Sequence, residues 1–339
     1  MNQNNFDGVR IGLALIVVFA HVSALTALPD FSFFGTVFDS NFAVKGFFAI
    51  SGFLVTRSWF GSRSLTEYAD KRLRRIYPAY AVTVLLCLGM GLATSRLEVM
   101  EFLRDDQTFK YLFTNAIFLN FLQPTLPGVF ESNPMPAMNG SLWTIKIEVM
   151  LYCCLPFIAF SYRKLGSTVT TIAVVLCSIA WSYFFGFVYP GGLGPELARQ
   201  FPGQLAYFAF GSYLATQPKA LGHSKWLALA SLIALLATDN PYARLLIDPF
   251  AYTSIVIFLA LGTPSTLNFG RFGDISYGLY LYHFPIIQGL IHAGVFRINP
   301  WLGLMASVLL TTIAAWMSWH LIEKRLLKRS SHYVQASHP

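Results

Sequence analysis

The chain has 339 residues; 55% are hydrophobic, 12% are charged, 31 are Phe, and the mean hydropathy is +0.53. A soluble domain carries about 25% charged residues, so this chain lacks the polar surface to clothe a water-soluble globule of its size. Disorder, coiled coil, collagen and a disulfide-stapled module are excluded. What remains is an all-α, polytopic integral membrane bundle, because each segment in lipid must satisfy its own backbone. The net charge of +8 then reads as a topology signal, and no nucleic-acid partner is expected.

A bilayer core of about 30 Å takes about 20 apolar residues per helix. In chain order the candidates run near 9–28, 41–60, 77–94, 109–122, 140–160, 168–188, 200–216, 225–238, 246–263, 275–295 and 301–322. The segment 109–122 is short and carries Lys110 at its start, so it is read as re-entrant or interfacial. That leaves ten spans. The first has only Arg10 as a basic flank, is interrupted by His21 and lacks an A-x-A cleavage site, so it reads as a retained helix. With the N-terminus inside, sixteen of the 24 basic residues fall in cytoplasmic segments and six outside. This is the positive-inside bias, and it places both termini in the cytoplasm. The membrane domain is taken as 1–329 and a polar cytoplasmic tail as 330–339. Within the membrane domain lie a basic interfacial helix at 64–77 and a Pro- and Gly-rich outer loop at 123–140.

The four cysteines, Cys87, Cys153, Cys154 and Cys177, all lie in apolar stretches without a CxxC pair. They read as buried small hydrophobes, and no metal site is expected.

Ionisable groups inside a membrane are costly and mark function. Arg10 and His21 are eleven residues apart. At about 100° per residue they share one helix face, roughly 16 Å apart along the axis. In the second span, Phe47 to Phe53 brings Ser51 and Gly52, residues that allow helices to approach closely and to hydrogen-bond across the gap. Next, Lys71 to Pro78 follows a stretch in which Ser64 and Glu67 form a capping box. Arg72 and Arg75 are i,i+3 neighbours there, and guanidinium forks suit phosphate oxygens. Further on, Ser141, Trp143, Glu148 and Tyr152 lie along one span, with Ser141 and Glu148 on one face and Tyr152 within reach of Glu148. Finally, Ser276, Tyr280 and His283 fall at i, i+4 and i+7, so His21 and His283 can face one cavity.

Taken in order, R-x10-H, FFxxSGF, RxxRIxP, SLWxxxxExxxY and the Ser276 to His283 stripe resemble the membrane-bound acyltransferase-3 family. That family includes bacterial O-antigen and exopolysaccharide O-acetyltransferases. The resemblance implies a multi-pass enzyme of the bacterial inner membrane. It takes an acyl group, acetyl in the first instance, from cytoplasmic acyl-CoA, which serves as co-substrate rather than bound cofactor. The acceptor is a hydroxyl of a cell-surface or lipid-linked glycan. Carried onto this chain, the pattern makes His21 the general base and Glu148 the group that orients it or the sugar. Arg10, Arg72 and Arg75 hold the CoA phosphates. Ser51, Ser141, Trp143, Tyr152, Tyr280 and His283 are substrate-binding candidates, and membrane lipids are the remaining partners. A common family pattern has Asp two residues before the double Phe, where this chain has Lys45. Any role of that Asp in orienting the histidine is then unfilled, or passes to Glu148. The alternative from another class is a proton-coupled transporter or flippase of a glycan or small solute, with His21, Glu148 and His283 as its relay.

Overall fold

The computed structural model describes residues 4–263 and 273–327, and every regular element among them is helical. The principal helices are α1 (Phe6–Thr26), α2 (Ser40–Phe60), α3 (Leu65–Thr94), α4 (Asp106–Ala116), α5 (Trp143–Leu165), α6 (Ser167–Tyr183), α7 (Phe201–Thr216), α8 (Ser224–Leu236), α9 (Pro241–Leu261), α10 (Ser276–His292) and α11 (Pro300–Ser318). A π-helical turn extends α6 over Phe184–Val188, and another extends α11 over Trp319–Glu323. The tail 330–339 lies outside the described residues.

Local sequence explains several helix starts. Asn240 and Asn299 each stand before a Pro at the first helical position, and each side-chain oxygen accepts two backbone N–H groups of the first turn. This is the pairing of an Asn cap with Pro at N1. Ser64 Oγ accepts from the Glu67 N–H at 3.1 Å, while the Glu67 carboxylate reaches back to the Arg63 N–H at 2.8 Å. The cap at Ser64 is as expected, although Glu67 closes it one residue earlier than the usual box.

Six helical segments are long and apolar enough to cross a membrane by length and composition: Phe6–Thr26, Leu65–Thr94, Gly140–Leu165, Ser167–Val188, Pro241–Leu261 and Pro300–Leu326. The other expected spans are helical as well, but α7, α8 and α10 have only 16, 13 and 17 residues. The segment expected to be re-entrant contains α4, an 11-residue helix capped by Asp105, whose Oδ1 accepts from the Gln107 N–H.

Two expectations need correction and a third gains detail. The interfacial helix at 64–77 is not separate, because α3 runs unbroken through Pro78 to Thr94. The stretch 123–139 is loop, as expected, but much of it is enclosed by the protein. Leu126, Val129, Phe130, Asn133, Met138 and Asn139 are buried, and a buried loop must find partners for its backbone. Gln288 of α10 supplies them: its Nε2 donates to the Met135 and Ala137 carbonyls at 2.5 and 2.7 Å, and its Oε1 accepts from Asn133 at 3.0 Å. Of the four cysteines only Cys87 is fully buried, whereas Cys153 and Cys177 are exposed. Exposed apolar neighbours, Phe157 on α5 and Ile172 and Leu176 on α6, show that these are outward, lipid-type faces.

The described chain forms two compact units. One comprises residues 4–10, 41–69 and 147–263; the other comprises 11–40, 70–146 and 273–327. In the first unit α2 and α7 cross at two glycines. A Cβ on Gly52 would overlap the Phe208 carbonyl, and one on Gly211 would overlap the Ala49 carbonyl. Thr56 donates to Ser212 across the same contact at 2.7 Å. Small residues and interhelical hydroxyl bonds replace the hydrophobic drive that lipid does not provide. In the second unit α10 is buried over most of its length and packs on α11 through Gly278, which faces the Ala315 backbone. A cluster of Val22, Leu25, Phe31, Phe284, Ile287, Phe296 and Leu304 fills one end of this unit.

Candidate active site

Two polar centres stand in the second unit. The first is an imidazole pair. His21 Nδ1 lies 2.7 Å from His283 Nε2. The ring planes are 12° apart and the centroids 4.9 Å apart. That separation is close to the greatest that two imidazoles can have across such a nitrogen contact. The rings therefore lie edge to edge, as an in-plane N–H···N bond requires. Phe284 meets His21 edge-on at 5.4 Å. His283 is fully buried, and its Nδ1 lies 3.1 Å from the Leu279 carbonyl. The stripe arithmetic that aimed both histidines at one place is thus borne out in distance.

The lower part of the stripe is occupied by structure. Tyr280 OH bonds Thr144 Oγ1 at 2.7 Å, and Ser141 Oγ donates to Asn139 Oδ1 at 2.7 Å. Asn139 Nδ2 in turn donates to the Leu281 carbonyl at 2.9 Å. Pro285 explains that last bond: it has no N–H to give the carbonyl four residues earlier, so the amide of Asn139 takes its place. Ser141 and Tyr280, expected at the substrate, are fully committed to this buried network. Trp143 is half-buried at the start of α5.

The second centre is an ion triad. Arg75 Nη2 meets Asp274 Oδ2 at 2.6 Å, and its Nη1 meets Glu323 Oε2 at 2.7 Å, with all three side chains almost wholly buried. Ser276 donates to Asp274 at 2.5 Å, Ser318 donates to Glu323 at 3.0 Å, and Tyr282 donates to Ser318 at 3.1 Å. The Tyr277 ring covers the guanidinium at 5.1 Å. The expectation that Arg75 grips a donor phosphate is corrected here: its fork is closed by two carboxylates. Sequence reading missed Asp274 and Glu323. An acid inside an apolar run, such as Glu323, was the available signal. Arg72 is half-buried one turn earlier on α3, and Arg10 is half-buried near the start of α1, the helix that carries His21.

In the first unit, Glu148 Oε1 accepts from Ser51 Oγ at 2.9 Å and from Tyr152 OH at 2.5 Å. The predicted i,i+4 contact and the predicted hydroxyl on α2 both meet this carboxylate. Pro156 leaves the Tyr152 carbonyl without its helical partner, and Tyr68 OH fills the gap at 2.9 Å. Lys45, which stands where the family pattern has Asp, lies over the Tyr207 and Tyr252 rings at 5.3 and 5.7 Å. Asp248 of α9 is buried and paired with Arg244 at 2.7 Å. No group of three or more His, Cys, Asp or Glu side chains arranged to hold a metal ion occurs among the described residues.

A family model described as an acyltransferase domain matches residues 3–320. The O-acetyl transferase of Shigella phage Sf6 is 29% identical over 351 residues, covering 97% of this chain and 97% of its own length. Nodulation protein 10 of Rhizobium leguminosarum bv. viciae is 29% identical over 362 residues, covering 98% and 95%. The O-acetyltransferase OatA of Staphylococcus aureus is 24% identical over 375 residues; the match spans 95% of this chain and 57% of that protein. No solved structure matches the chain significantly. The chain belongs to the acyltransferase-3 family of membrane proteins and is an O-acyltransferase.

Proposed function

We propose that the protein moves an acetyl group from cytoplasmic acetyl-CoA to a hydroxyl of a cell-surface or lipid-linked glycan, working in the bacterial inner membrane. On this reading ten helices cross the bilayer with both termini in the cytoplasm. The observation that carries the proposal is a His21 imidazole on an apolar helix of an O-acyltransferase family member, half-buried and held against the fully buried His283. A neutral imidazole offers a ring-nitrogen lone pair that can take a proton from an alcohol. His21 removes the acceptor's hydroxyl proton as the oxygen attacks the thioester carbonyl carbon. The C–S bond breaks, and the thiolate leaves with that proton as free CoA thiol.

Arg72 and Arg10 are the remaining cations assigned to donor phosphates, through charge-assisted bonds. Glu148, with Ser51 and Tyr152 fixing one oxygen, is assigned to the acceptor's hydroxyl groups. The test is release of free thiol from acetyl-CoA by the purified protein, with mass spectrometry of surface glycans from cells with and without it. Thiol release that falls about 10³-fold in His21→Ala, together with loss of acetyl from the glycan, is expected. A normally inserted His21→Ala protein with undiminished thiol release overturns the reading.

A further inference from the structure

We infer that His283 is the positioning residue that sets the tautomer of His21 and so decides which nitrogen of His21 acts as base. This rests on the reading of His21 as the general base. The chain of bonds fixes every proton. A carbonyl oxygen only accepts, so the 3.1 Å contact from His283 Nδ1 to the Leu279 carbonyl requires a proton on that nitrogen. In a neutral imidazole the other nitrogen, Nε2, then carries the lone pair. His283 Nε2 faces His21 Nδ1 at 2.7 Å, so His21 must supply the proton between them. With Nδ1 protonated, neutral His21 keeps its lone pair on Nε2. That nitrogen has no hydrogen-bond partner among the described residues.

The arrangement has the logic of a base oriented by a third group, with a neutral imidazole and a backbone carbonyl standing where a carboxylate often stands. Burial favours that choice. The His283 side chain is fully enclosed, edged by Tyr280 at 5.9 Å and Phe284 at 6.4 Å. A carboxylate there would carry an uncompensated charge, whereas an imidazole anchored on its own helix carries none. When His21 takes the acceptor's proton on Nε2, the imidazolium still donates its Nδ1–H to His283, and the Leu279 carbonyl stabilises the end of the chain. No second proton transfer is needed, and His283 stays neutral throughout.

The experiment uses the full chain in lipid nanodiscs, labelled with 15N-histidine, and acetyl-CoA as the donor. Nitrogen NMR of the unaltered protein is expected to show His21 protonated on Nδ1 and unprotonated on Nε2. His283→Leu, which removes the acceptor, is expected to lower kcat for thiol release about 10²-fold, leave KM for acetyl-CoA within about threefold, and mix the two His21 tautomers. His283→Gln, whose amide oxygen can accept the same proton, is expected to recover most of the lost kcat and the single tautomer. A His21 protonated on Nε2 in the unaltered protein overturns the inference even where the variants fail to fold. So does a folded His283→Leu with undiminished kcat while His21→Ala is inactive. An active His21→Ala protein instead sinks the underlying reading of His21 as base, so the two failures are told apart.

Discussion

The two polar centres of the second unit use one helix in opposite ways. Before α10 and at its first turn, Asp274 and Ser276 belong to a closed network in which Arg75 meets two carboxylates and each carboxylate also accepts a hydroxyl. Two turns further on, His283 belongs to an open one, which runs from the Leu279 carbonyl through both imidazoles to His21 Nε2, a nitrogen with no hydrogen-bond partner among the described residues. Full charges buried in an apolar bundle persist only when matched, because removing one partner strands the others. A neutral imidazole with a spare lone pair survives burial at far less cost. The difference separates a network that holds helices in register from one that, on the proposed reading, takes part in the reaction.

The sharpest way to break this comparison is to remove the cation from the closed network. Arg75→Met leaves two carboxylates facing each other and is expected to destabilise the folded protein by about 3–5 kcal/mol, read as a lower melting temperature in detergent. The triple variant Arg75→Met, Asp274→Asn, Glu323→Gln, which removes all three charges, is expected to recover most of that loss. If Arg75→Met melts normally and only weakens binding of acetyl-CoA, the triad is a ligand site after all. A smaller effect is expected at the helix crossing of the first unit. Gly52→Ala forces a methyl into the Phe208 carbonyl and is expected to cost about 1–3 kcal/mol, with Gly211→Ala behaving alike and Gly12→Ala, which meets nothing, close to neutral.

The smallest effects test which kind of centre Glu148 belongs to. Glu148→Gln keeps an acceptor for Ser51 and Tyr152, so melting is expected to shift little while glycan acetylation falls. Tyr152→Phe removes one hydrogen bond and is expected to cost about 1 kcal/mol. A Glu148→Gln protein that melts early yet acetylates normally would move Glu148 to the structural side of the comparison.

Much of the helical framework was legible because a lipid-facing helix is written as an uninterrupted apolar run, and local caps such as Asn240–Pro241 punctuate it. Contacts at helical spacing were legible as well: Glu148 and Tyr152 are one turn apart, and the step from Tyr280 to His283 shows which face the histidine takes. That His21 and His283 could face one place was legible from stripe arithmetic, because each lies on a polar line down an apolar helix, but that the two rings bond each other was not. The triad could not be named that way. Asp274 and Glu323 lie 199 and 248 positions from Arg75, and nothing local distinguishes a guanidinium awaiting a phosphate from one already held by carboxylates. The burial of the stretch 123–140 was not legible, for a related reason. Pro, Gly and Asn mark a chain without regular structure, but they do not say whether a buried glutamine elsewhere will receive its carbonyls.

The prolines of α5 and α10 bear on how this sequence can drift. Pro156 and Pro285 each free a carbonyl one turn back, and each carbonyl is claimed by a side chain from a different element, Tyr68 in one case and Asn139 in the other. Each pair ties two distant codons together in a fixed order. Loss of the phenol or the amide strands a bare oxygen inside the bundle, whereas replacing the proline restores an N–H to a carbonyl whose two lone pairs can take both donors. The phenol and the amide therefore change freely only after the proline has gone.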